Sequence, residues 1–334
     1  MSTVRTSPVR IGVVGAGNMG ADHANTLHRW VSGAEVVLVA DIDKGRAAEV
    51  AAAVPGARAT DDPYALIADP EVDAVVIASH DSTHADLAIA GARAGKPVMC
   101  EKPLAPTTAE CVRVLREDRA DLVSLGFMRR FDPGYVDLRA ALAAGTAGTP
   151  LLVHCMSRGV SSAPGATDEF SVTGSAIHEF DTVPWLLNSP VVEVSWHAAR
   201  PTPAVTGLRD PQLMLLRTAD GALTTVETFL NAGYGYDIRC EVVGEHGTLA
   251  LTDPARLVAD TARTRATGYP ADWRPRFADA YRLELQAWTD AVAEGRPAPL
   301  ATAYDGLVAS AVAEAVIASM HADGRTVAVR VPEV

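Results

Sequence analysis

The stretch that decides the fold is Val9-Arg-Ile-Gly-Val-Val-Gly15-Ala-Gly17-Asn18-Met19-Gly20. Its first part is apolar enough for a buried strand, and the GxGxxG pattern that follows leads directly into the amphipathic residues of a helix. Gly15 allows a tight turn, Gly17 lets the backbone approach a pyrophosphate at the helix N-terminus, and Gly20 permits close packing of the helix on the strand. Because a lone GxGxxG is weak evidence, the surrounding residues decide its meaning.

The second predicted strand supplies an acidic partner for this turn. Asp41 lies 21 residues after Gly20, near the position where an acidic residue binds the 2′-hydroxyl of the adenosine ribose. Its carboxylate would repel a 2′-phosphate, and Ile42 follows it in place of an arginine that could bind one. The pattern therefore predicts NAD, with NADP less favoured. The predicted cofactor site comprises Gly15, Gly17, Asn18, Met19, Gly20, Asp41 and Ile42.

The order of apolar segments predicts two domains in this chain of 334 residues. Up to Phe127, short Val- and Ile-rich runs alternate with amphipathic ones, which is typical of a doubly wound parallel sheet, the Rossmann fold. After Phe127 strands follow one another, which predicts an α/β domain with a large open, mostly antiparallel sheet. We expect an NAD-binding Rossmann domain at 1–127 and a substrate-binding and oligomerisation domain at 128–334.

Composition excludes several other functions. A formal net charge of −12, without any cluster of basic residues, argues against nucleic acid as a partner. The first ten residues lack the apolar run of a signal peptide, and no apolar stretch approaches the roughly 18 residues of a membrane span. The four cysteines are scattered, without CxxC spacing or a neighbouring histidine cluster. We therefore expect a cytoplasmic protein that contacts no membrane and binds no metal.

Lys102 stands at a position typical of ligand binding. It follows the apolar run 97–100, and the carboxyl ends of such strands form the edge where open α/β sheets bind their ligands. A solvated lysine in a surface turn is the alternative. However, 26 of the 29 basic residues are arginine, so a lysine is informative. Its compact ammonium can stabilise a developing alkoxide at close quarters.

Histidines give the second set of candidates. His178 and Asp181 are three residues apart on one helical face, and an imidazole can take the proton of a carbinol as its hydride leaves. A structural histidine is the alternative. His80 and His84 follow the strand that ends at Ser79, where they can contact the dinucleotide, or they can be structural. The remaining histidines, His23 among them, are interpreted as structural.

These motifs resemble the glucose-fructose oxidoreductase, inositol dehydrogenase and MocA family, and within it the bacterial inositol 2-dehydrogenases. The resemblance covers nearly the whole chain, in the order expected. It comprises GAGNMG at 15–20, CEKPLA at 100–105, GFMRRFDPGY at 126–135, HEFD at 178–181, GYDIRCEVVGEHG at 235–247, RFADAY at 276–281, AWTDAV at 287–292 and AYDG at 303–306.

The resemblance implies an NAD-dependent enzyme that oxidises a ring secondary alcohol of a cyclitol or sugar to the ketone. It implies that Lys102 holds the substrate oxygen and that His178 is the catalytic base. It also implies a cis Lys102-Pro103 bond and a homodimer or homotetramer formed through the second sheet. Further residues are implied at the site by position: Arg129, Gly174, Asp181 and Tyr236 toward the substrate, and Ser79, His80, His84, Glu101 and Lys102 toward the cofactor.

One departure from the family pattern concerns the substrate end of the site. The family usually carries an aspartate four residues before the histidine, and this chain has Gly174 there. Without that carboxylate, His178 is expected to be less basic and less well oriented. Ser157 and Gly159 also stand where inositol dehydrogenases tend to have His and Asn, so myo-inositol itself becomes doubtful as the substrate.

Three interpretations of this departure remain open. The enzyme acts on a modified cyclitol, an amino-cyclitol or a sugar; it reduces a ketone or imine in the reverse direction; or it is a non-catalytic NAD-binding sensor. The first is favoured because Lys102 and His178 are retained. Asp168 or Glu169 could then replace part of the missing charge.

Overall fold

A computed structural model of the chain describes residues 7–252 and 257–334. Residues 1–6, which belong to the segment where the sequence predicts no signal peptide, lie outside the described residues. The first half contains β1 (Val9–Val14), α1 (Asn18–Trp30), β2 (Ala34–Ala40), α2 (Lys44–Ala52), β3 (Arg58–Thr60), α3 (Pro63–Ala68), β4 (Ala74–Ile77), α4 (His84–Arg93), β5 (Val98–Glu101), α5 (Thr108–Glu117), β6 (Val123–Gly126), and 3-10 turns at Asp81–Thr83 and Met128–Phe131.

The second half of the chain carries most of the strands. It contains α6 (Pro133–Ala143), β7 (Pro150–Arg158), α7 (Asp168–Phe170), a π-helix (Ser171–Ala176), α8 (Ile177–Leu187), β8 (Val191–Ala198), β9 (Gln212–Thr218), β10 (Leu223–Phe229), β11 (Asp237–Gly244), β12 (Gly247–Ala250), β13 (Val258–Thr261), β14 (Thr264–Thr267), α9 (Trp273–Glu294), β15 (Ala301–Thr302), α10 (Ala303–His321) and β16 (Val327–Ala328). The helix predicted within 168–187 is therefore three consecutive helical segments.

The described residues form two compact units, and each combines separate stretches of sequence. The first unit contains 7–131, 279–310 and 331–334. The second contains the described residues of 132–278 together with 311–330. Each unit has one large sheet.

The sheet of the first unit has the order β15-β6-β5-β4-β1-β2-β3. All neighbours are parallel except β15, which pairs antiparallel with β6. Strand β4 is buried at every residue, as expected where helices cover both faces. The prediction of a doubly wound Rossmann sheet is confirmed. Since the strand order reverses between β1 and β4, the ligand-binding switch point lies beside the glycine turn.

The core of this unit includes residues from far along the chain. Apolar side chains of β1, β2, β4 and α1 pack in one cluster, and Leu285 and Trp288 of α9 belong to it together with Leu300. Trp288 is among the largest fully buried side chains. Burying a large apolar side chain contributes roughly 1.5–3 kcal/mol. The late segment 279–310 is therefore part of the hydrophobic core around the first sheet.

The sheet of the second unit has the order β12-β11-β7-β10-β9-β8-β16. Its pairs are antiparallel except β7 and β10, which confirms the prediction of a mostly antiparallel sheet. The parallel pair follows from the long connection through α7 and α8, because a parallel neighbour needs a crossover. Along β10 buried and half-buried residues alternate, so one face is covered and the other is not.

One helix among the described residues, α10, is long and apolar enough to span a bilayer, so the expectation that no apolar stretch approaches this length is wrong. Within its 18-residue apolar window, 67% is buried inside the protein. A buried core helix meets the same criteria of length and composition, so the finding is weak evidence for a membrane span.

Candidate active site

Five predicted site residues lie at one edge of the first sheet. Gly15 follows β1, Asp41 follows β2, Ser79 follows β4, Lys102 follows β5 and Arg129 follows β6. The strands are parallel, so their carboxyl ends share an edge. The expected ligand-binding edge is therefore lined by a glycine turn, a carboxylate and two cationic side chains.

The glycine turn has a backbone geometry that requires glycine at Gly15 and Gly20. Gly15 has φ of +99°, and a Cβ there would lie 2.5 Å from the carbonyl oxygen of Ala78. A Cβ on Gly20 would lie 1.7 Å from the carbonyl oxygen of Gly15, so only glycine permits this close packing. A Cβ on Gly17 would meet no protein atom within 4 Å. The turn is therefore closely packed at Gly15 and Gly20, whereas the space beside Gly17 is open.

The carboxylate of Asp41 is held in place by backbone donors. Its Oδ2 accepts a hydrogen bond from Ala16 N at 2.7 Å, and its Oδ1 accepts one from Asp43 N at 2.8 Å. Arg46 adds a longer contact of 3.3 Å. Oδ2, which accepts only the bond from Ala16, keeps a lone pair for a ribose hydroxyl. Helix α1 begins after Gly17 without a side-chain cap, so its N-terminus suits a pyrophosphate. These residues fit a dinucleotide.

The other residues predicted to contact the cofactor differ in exposure. Ile42 is 86% exposed, and Asn18 and His80 are also exposed, whereas Met19 is half-buried. His84 is buried: its Nδ1 lies 2.7 Å from the carbonyl oxygen of Pro103, and its Nε2 lies 3.1 Å from that of Ser79. His84 thus joins the loop after β4 to the loop after β5.

Lys102 is half-buried and is followed by a cis bond to Pro103, as the resemblance implied. Burial lowers the pKa of its ammonium, the charge of Glu101 partly offsets this, and Arg129 lowers the pKa further. Arg129 is itself only 1% exposed. Two cations therefore share this part of the edge, which suits a site for an oxygen that develops negative charge.

Glu101 has contacts that the sequence did not indicate. Its Oε1 lies 2.8 Å from Nε2 of the buried His23, and its Oε2 accepts the backbone N–H of Lys102 at 3.2 Å. Burial favours the neutral acid, but the hydrogen bond and charge of His23 outweigh it and hold the pKa of Glu101 below its ordinary value. Glu101 is therefore a buried carboxylate anchored by a histidine of α1.

In the second unit, His178 lies in the first turn of α8, directly after the π-helix. It is 9% exposed, and Asp181 on the same helix is 3% exposed. A π-helix is rare and is frequently found at functional sites. His178 is therefore a buried titratable group at an irregular point of the helix.

The ring of Phe170 occupies the space that a side chain at position 174 would need. A Cβ on Gly174 would lie 2.8 Å from both Cε2 and Cζ of Phe170, which precedes it by one turn. Phe170 is 46% exposed. Where the family pattern has a carboxylate, this chain has a phenylalanine ring packed on the helix backbone.

Neighbouring positions also lack large polar groups. Ser157 on β7 lies with its Oγ 3.4 Å from Oγ of Ser175. A Cβ on Gly159 would lie 2.9 Å from the carbonyl oxygen of Leu230, so the strand end passes close to its neighbour. An asparagine at Gly159 would require the backbone to move.

Asp168 and Glu169, considered as replacements for the missing aspartate, are paired with other side chains. Asp168 accepts hydrogen bonds from the backbone and side chain of Arg209, at 2.7 and 2.6 Å. Glu169 pairs with His321 at 3.0 Å. Both carboxylates are engaged with other partners in the second unit.

Tyr236 follows the turn at Gly235 and is half-buried. Its ring packs edge-to-face on Phe277, with centroids 6.3 Å apart, and its N–H donates to the carbonyl oxygen of Pro270 at 2.9 Å. Phe277 is the point where α9 departs from helical geometry. The position of the tyrosine thus depends on the kink in α9.

The structure places the predicted residues in two groups, one in each unit. Sequence reasoning missed two further residues. His23 faces the sheet because it lies three residues after Gly20 on α1, and that spacing was an available signal. Phe170 had no signal, because its contact with Gly174 depends on the π-helix.

A doubly wound sheet whose glycine turn, acidic residue and strand-end lysine share one edge is typical of dinucleotide-dependent oxidoreductases. A family model described as an oxidoreductase family with an NAD-binding Rossmann fold matches residues 9–125. A second, described as the GFO/IDH/MocA C-terminal domain, matches residues 135–250. The chain belongs to the glucose-fructose oxidoreductase, inositol dehydrogenase and MocA family, and the prediction of an oxidoreductase acting on CH–OH groups is confirmed.

Individual relatives are similar over almost the whole chain. Inositol 2-dehydrogenase 2 of Paenarthrobacter aurescens is 57% identical over 96% of this chain and 98% of its own. Inositol 2-dehydrogenase 1 of Saccharopolyspora erythraea is 49% identical over 97% of each chain. The crystal structure of myo-inositol dehydrogenase from Lactobacillus casei, in complex with NAD(H) and myo-inositol, superposes with a TM-score of 0.93 at 32% identity, covering 98% of each chain.

Proposed function

We propose that this protein is an NAD-dependent dehydrogenase that oxidises a ring secondary alcohol of a cyclitol or sugar to the ketone. The observation that carries the proposal is Lys102 at the carboxyl edge of the Rossmann sheet, on the same edge as the glycine turn and Asp41. The similar proteins named inositol 2-dehydrogenase support a cyclitol as the substrate class. The first unit is proposed as the cofactor domain and the second as the substrate domain; the boundary predicted at residue 127 is proposed for the N-terminal segment of the first unit, which also includes 279–310.

Bound NAD supplies the hydride acceptor. In the proposed reaction the Lys102 ammonium donates a hydrogen bond to the substrate oxygen and stabilises the negative charge that develops there. His178 takes the hydroxyl proton, for which a neutral imidazole is suited. Arg129, Asp181 and Tyr236 orient the other hydroxyl groups of the ring.

NAD is proposed over NADP because of the carboxylate at Asp41. Both of its oxygens are already fixed by backbone N–H groups, so it cannot turn away from a 2′-phosphate. Arg46 lies 3.3 Å from Asp41, so it weakens the repulsion between the carboxylate and a 2′-phosphate but does not remove it. The proposed preference is therefore one of degree.

The substrate is proposed to differ from unmodified myo-inositol on the side that faces Gly174. Phe170 presents an apolar ring there, and Ser157 and Gly159 offer less hydrogen bonding than His and Asn would. A cyclitol or sugar with a methylated or deoxygenated position fits this lining better than a full set of hydroxyls. The proposed enzyme can run in the reductive direction on the corresponding ketone.

The test offers purified protein NAD with myo-inositol, its mono-O-methyl ethers, amino-cyclitols and aldoses, and measures NADH absorbance. Turnover of at least one substrate is expected, and Lys102→Ala should abolish it while NAD still binds. Lys96→Ala, a lysine elsewhere in the first unit, is the matched control. Absence of any turnover in either direction, with NAD bound, would instead favour a non-catalytic sensor, the second candidate suggested by Gly174.

A homo-oligomer in the cytoplasm completes the proposal. The uncovered face of the second sheet exposes Leu152 and Leu213 by 37% and 38%, and apolar faces of this kind commonly mediate subunit contacts. None of the four cysteines, all of which lie among the described residues, forms a disulfide, and the Sγ atoms of Cys155 and Cys240 lie 3.9 Å apart. Adjacent unbonded thiols are typical of a reducing compartment. A dimer or tetramer is expected in light scattering.

A further inference from the structure

A buried histidine–carboxylate contact joins the helix of the glycine turn to the strand that ends next to Lys102. His23 of α1 is completely buried, and its Nε2 lies 2.8 Å from Oε1 of Glu101, the last residue of β5. Glu101 ends β5, and α1 follows β1. In the sheet, β4 lies between β5 and β1. The pair therefore links two parts of the first unit that are not neighbours in the sheet.

Both carboxylate oxygens of Glu101 are fixed. Oε1 contacts His23, and Oε2 accepts the backbone N–H of Lys102 at 3.2 Å. A Cβ on Gly126 would lie 3.3 Å from Oε1, so the glycine at the end of β6 leaves the space that the carboxylate fills. The backbone at Lys102 is therefore attached to a side chain that cannot rotate freely.

Stability alone does not account for such a pair. Burying two ionisable groups has a large desolvation penalty, and well-packed apolar residues of similar volume often serve as well. His23 also leaves its Nδ1 without a hydrogen-bond partner among the described residues. A buried polar pair that is imperfectly satisfied, and lies beside a reactive lysine, indicates a functional constraint.

We propose that His23 is a positioning residue, which holds Glu101 and thereby fixes Lys102 relative to the helix that carries the cofactor turn. The inference rests on the proposed function, because it needs Lys102 to hold the substrate oxygen. His84 supports the same loop from its other side, by its contact with the carbonyl oxygen of Pro103.

The charges around the pair predict what its loss would do. Burial lowers the pKa of Lys102, Glu101 raises it, Arg129 lowers it and Asp81 raises it, while the ring of Tyr281 packs edge-on against His23. Without His23 the buried carboxyl would protonate more readily, and Lys102 would lose its strongest neighbouring charge. The ammonium would then release its proton at lower pH.

The experiment compares His23→Ala and His23→Gln in the full-length protein with His28→Ala, an exposed histidine on the same helix. One readout uses no cofactor: acetylation of Lys102 by acetic anhydride is followed against pH by mass spectrometry, with Lys96 as internal reference. His23→Ala should shift the Lys102 profile to lower pH, and His28→Ala should not. In His23→Gln the Lys102 profile should lie close to that of the wild type, because the glutamine amide can donate a hydrogen bond to Glu101.

Kinetics provide the second readout. His23→Ala should lower kcat about 10- to 100-fold, as misplacement of a catalytic group does, while NAD affinity stays close to wild type. The inference would be overturned if His23→Ala kept the wild-type kcat and an unshifted acetylation profile. If Lys102→Ala were inactive in the same experiment, the proposed function would remain intact. A fully active Lys102→Ala would overturn the proposed function instead. If His23→Ala does not fold, His23→Asn takes its place. The asparagine amide is too short to reach Glu101, so this variant must show the same shift of the Lys102 acetylation profile to lower pH.

Discussion

Replacing Gly174 with aspartate tests whether Phe170 occupies the place of a carboxylate. The new Cβ would lie 2.8 Å from two ring carbons of Phe170, so the ring must move. Overpacking of this kind costs about 1–3 kcal/mol. Because the ring is already 46% exposed and can swing outward, we expect the lower half of that range.

The companion variant is Phe170→Ala. Full burial of a phenylalanine contributes about 1.5–3 kcal/mol, and this ring is roughly half buried, so its removal should cost about 1 kcal/mol. In the double variant the ring is absent, so the introduced aspartate meets no clash with it. The combined loss should therefore be smaller than the sum of the single losses by at least about 0.5 kcal/mol, the size of coupling found between contacting residues.

The assay is urea unfolding of all four proteins, followed by NADH formation with myo-inositol. The double variant should gain activity on myo-inositol over wild type, because a carboxylate near His178 raises the basicity of the imidazole. Gly174→Asp alone should gain less. Additive unfolding free energies would refute the contact between Phe170 and Gly174, and equal activity of the single and double variants would refute the idea that the ring blocks the carboxylate.

Other predictions concern the cofactor edge and the sheet face. His178→Asn should abolish turnover at neutral pH while NAD binding, measured by fluorescence titration, persists. Since burial lowers the pKa of Lys102, kcat/KM should fall on the alkaline side below the ordinary lysine value of 10.5, and Lys102→Arg should remove that limb from the pH profile with a low kcat. Asp41→Asn keeps an acceptor for Ala16 but loses the charge, and the preference for NAD over NADP should drop about 10- to 100-fold in Kd, as loss of a charged hydrogen bond implies. Leu213→Glu, on the uncovered sheet face, should reduce the oligomer in light scattering while the thermal unfolding midpoint of the subunit changes little.

The residues at the carboxyl edge of the first sheet were predictable from the sequence because their signals are local. The turn at Gly15 and Gly20 depends on backbone geometry that only glycine permits, and the acid at Asp41 follows at a spacing set by one βαβ unit. Lys102 could be placed at the same edge because it follows a recognisable buried strand. Each of these inferences needs only neighbouring residues.

The substrate end was less predictable because it depends on contacts between segments. The ring of Phe170 reaches Gly174 only through the π-helix, and periodicity cannot distinguish one turn of π-helix from α-helix. Asp168 looked available as a replacement charge, but its partner Arg209 lies 41 residues away. His23 was interpreted as structural, but its contact with Glu101 was not predicted.

The packing of Trp288 and Leu300 against the first sheet has a consequence for synthesis. During translation the six parallel strands emerge from the ribosome long before these residues, so the nascent cofactor domain lacks part of its core until residue 300 has been made. The pairing of β15 with β6 comes later still and covers the edge of the sheet. Apolar surface and an open strand edge are then exposed together, which favours chaperone binding or aggregation. A truncated chain ending near residue 130 should behave as this unfinished intermediate.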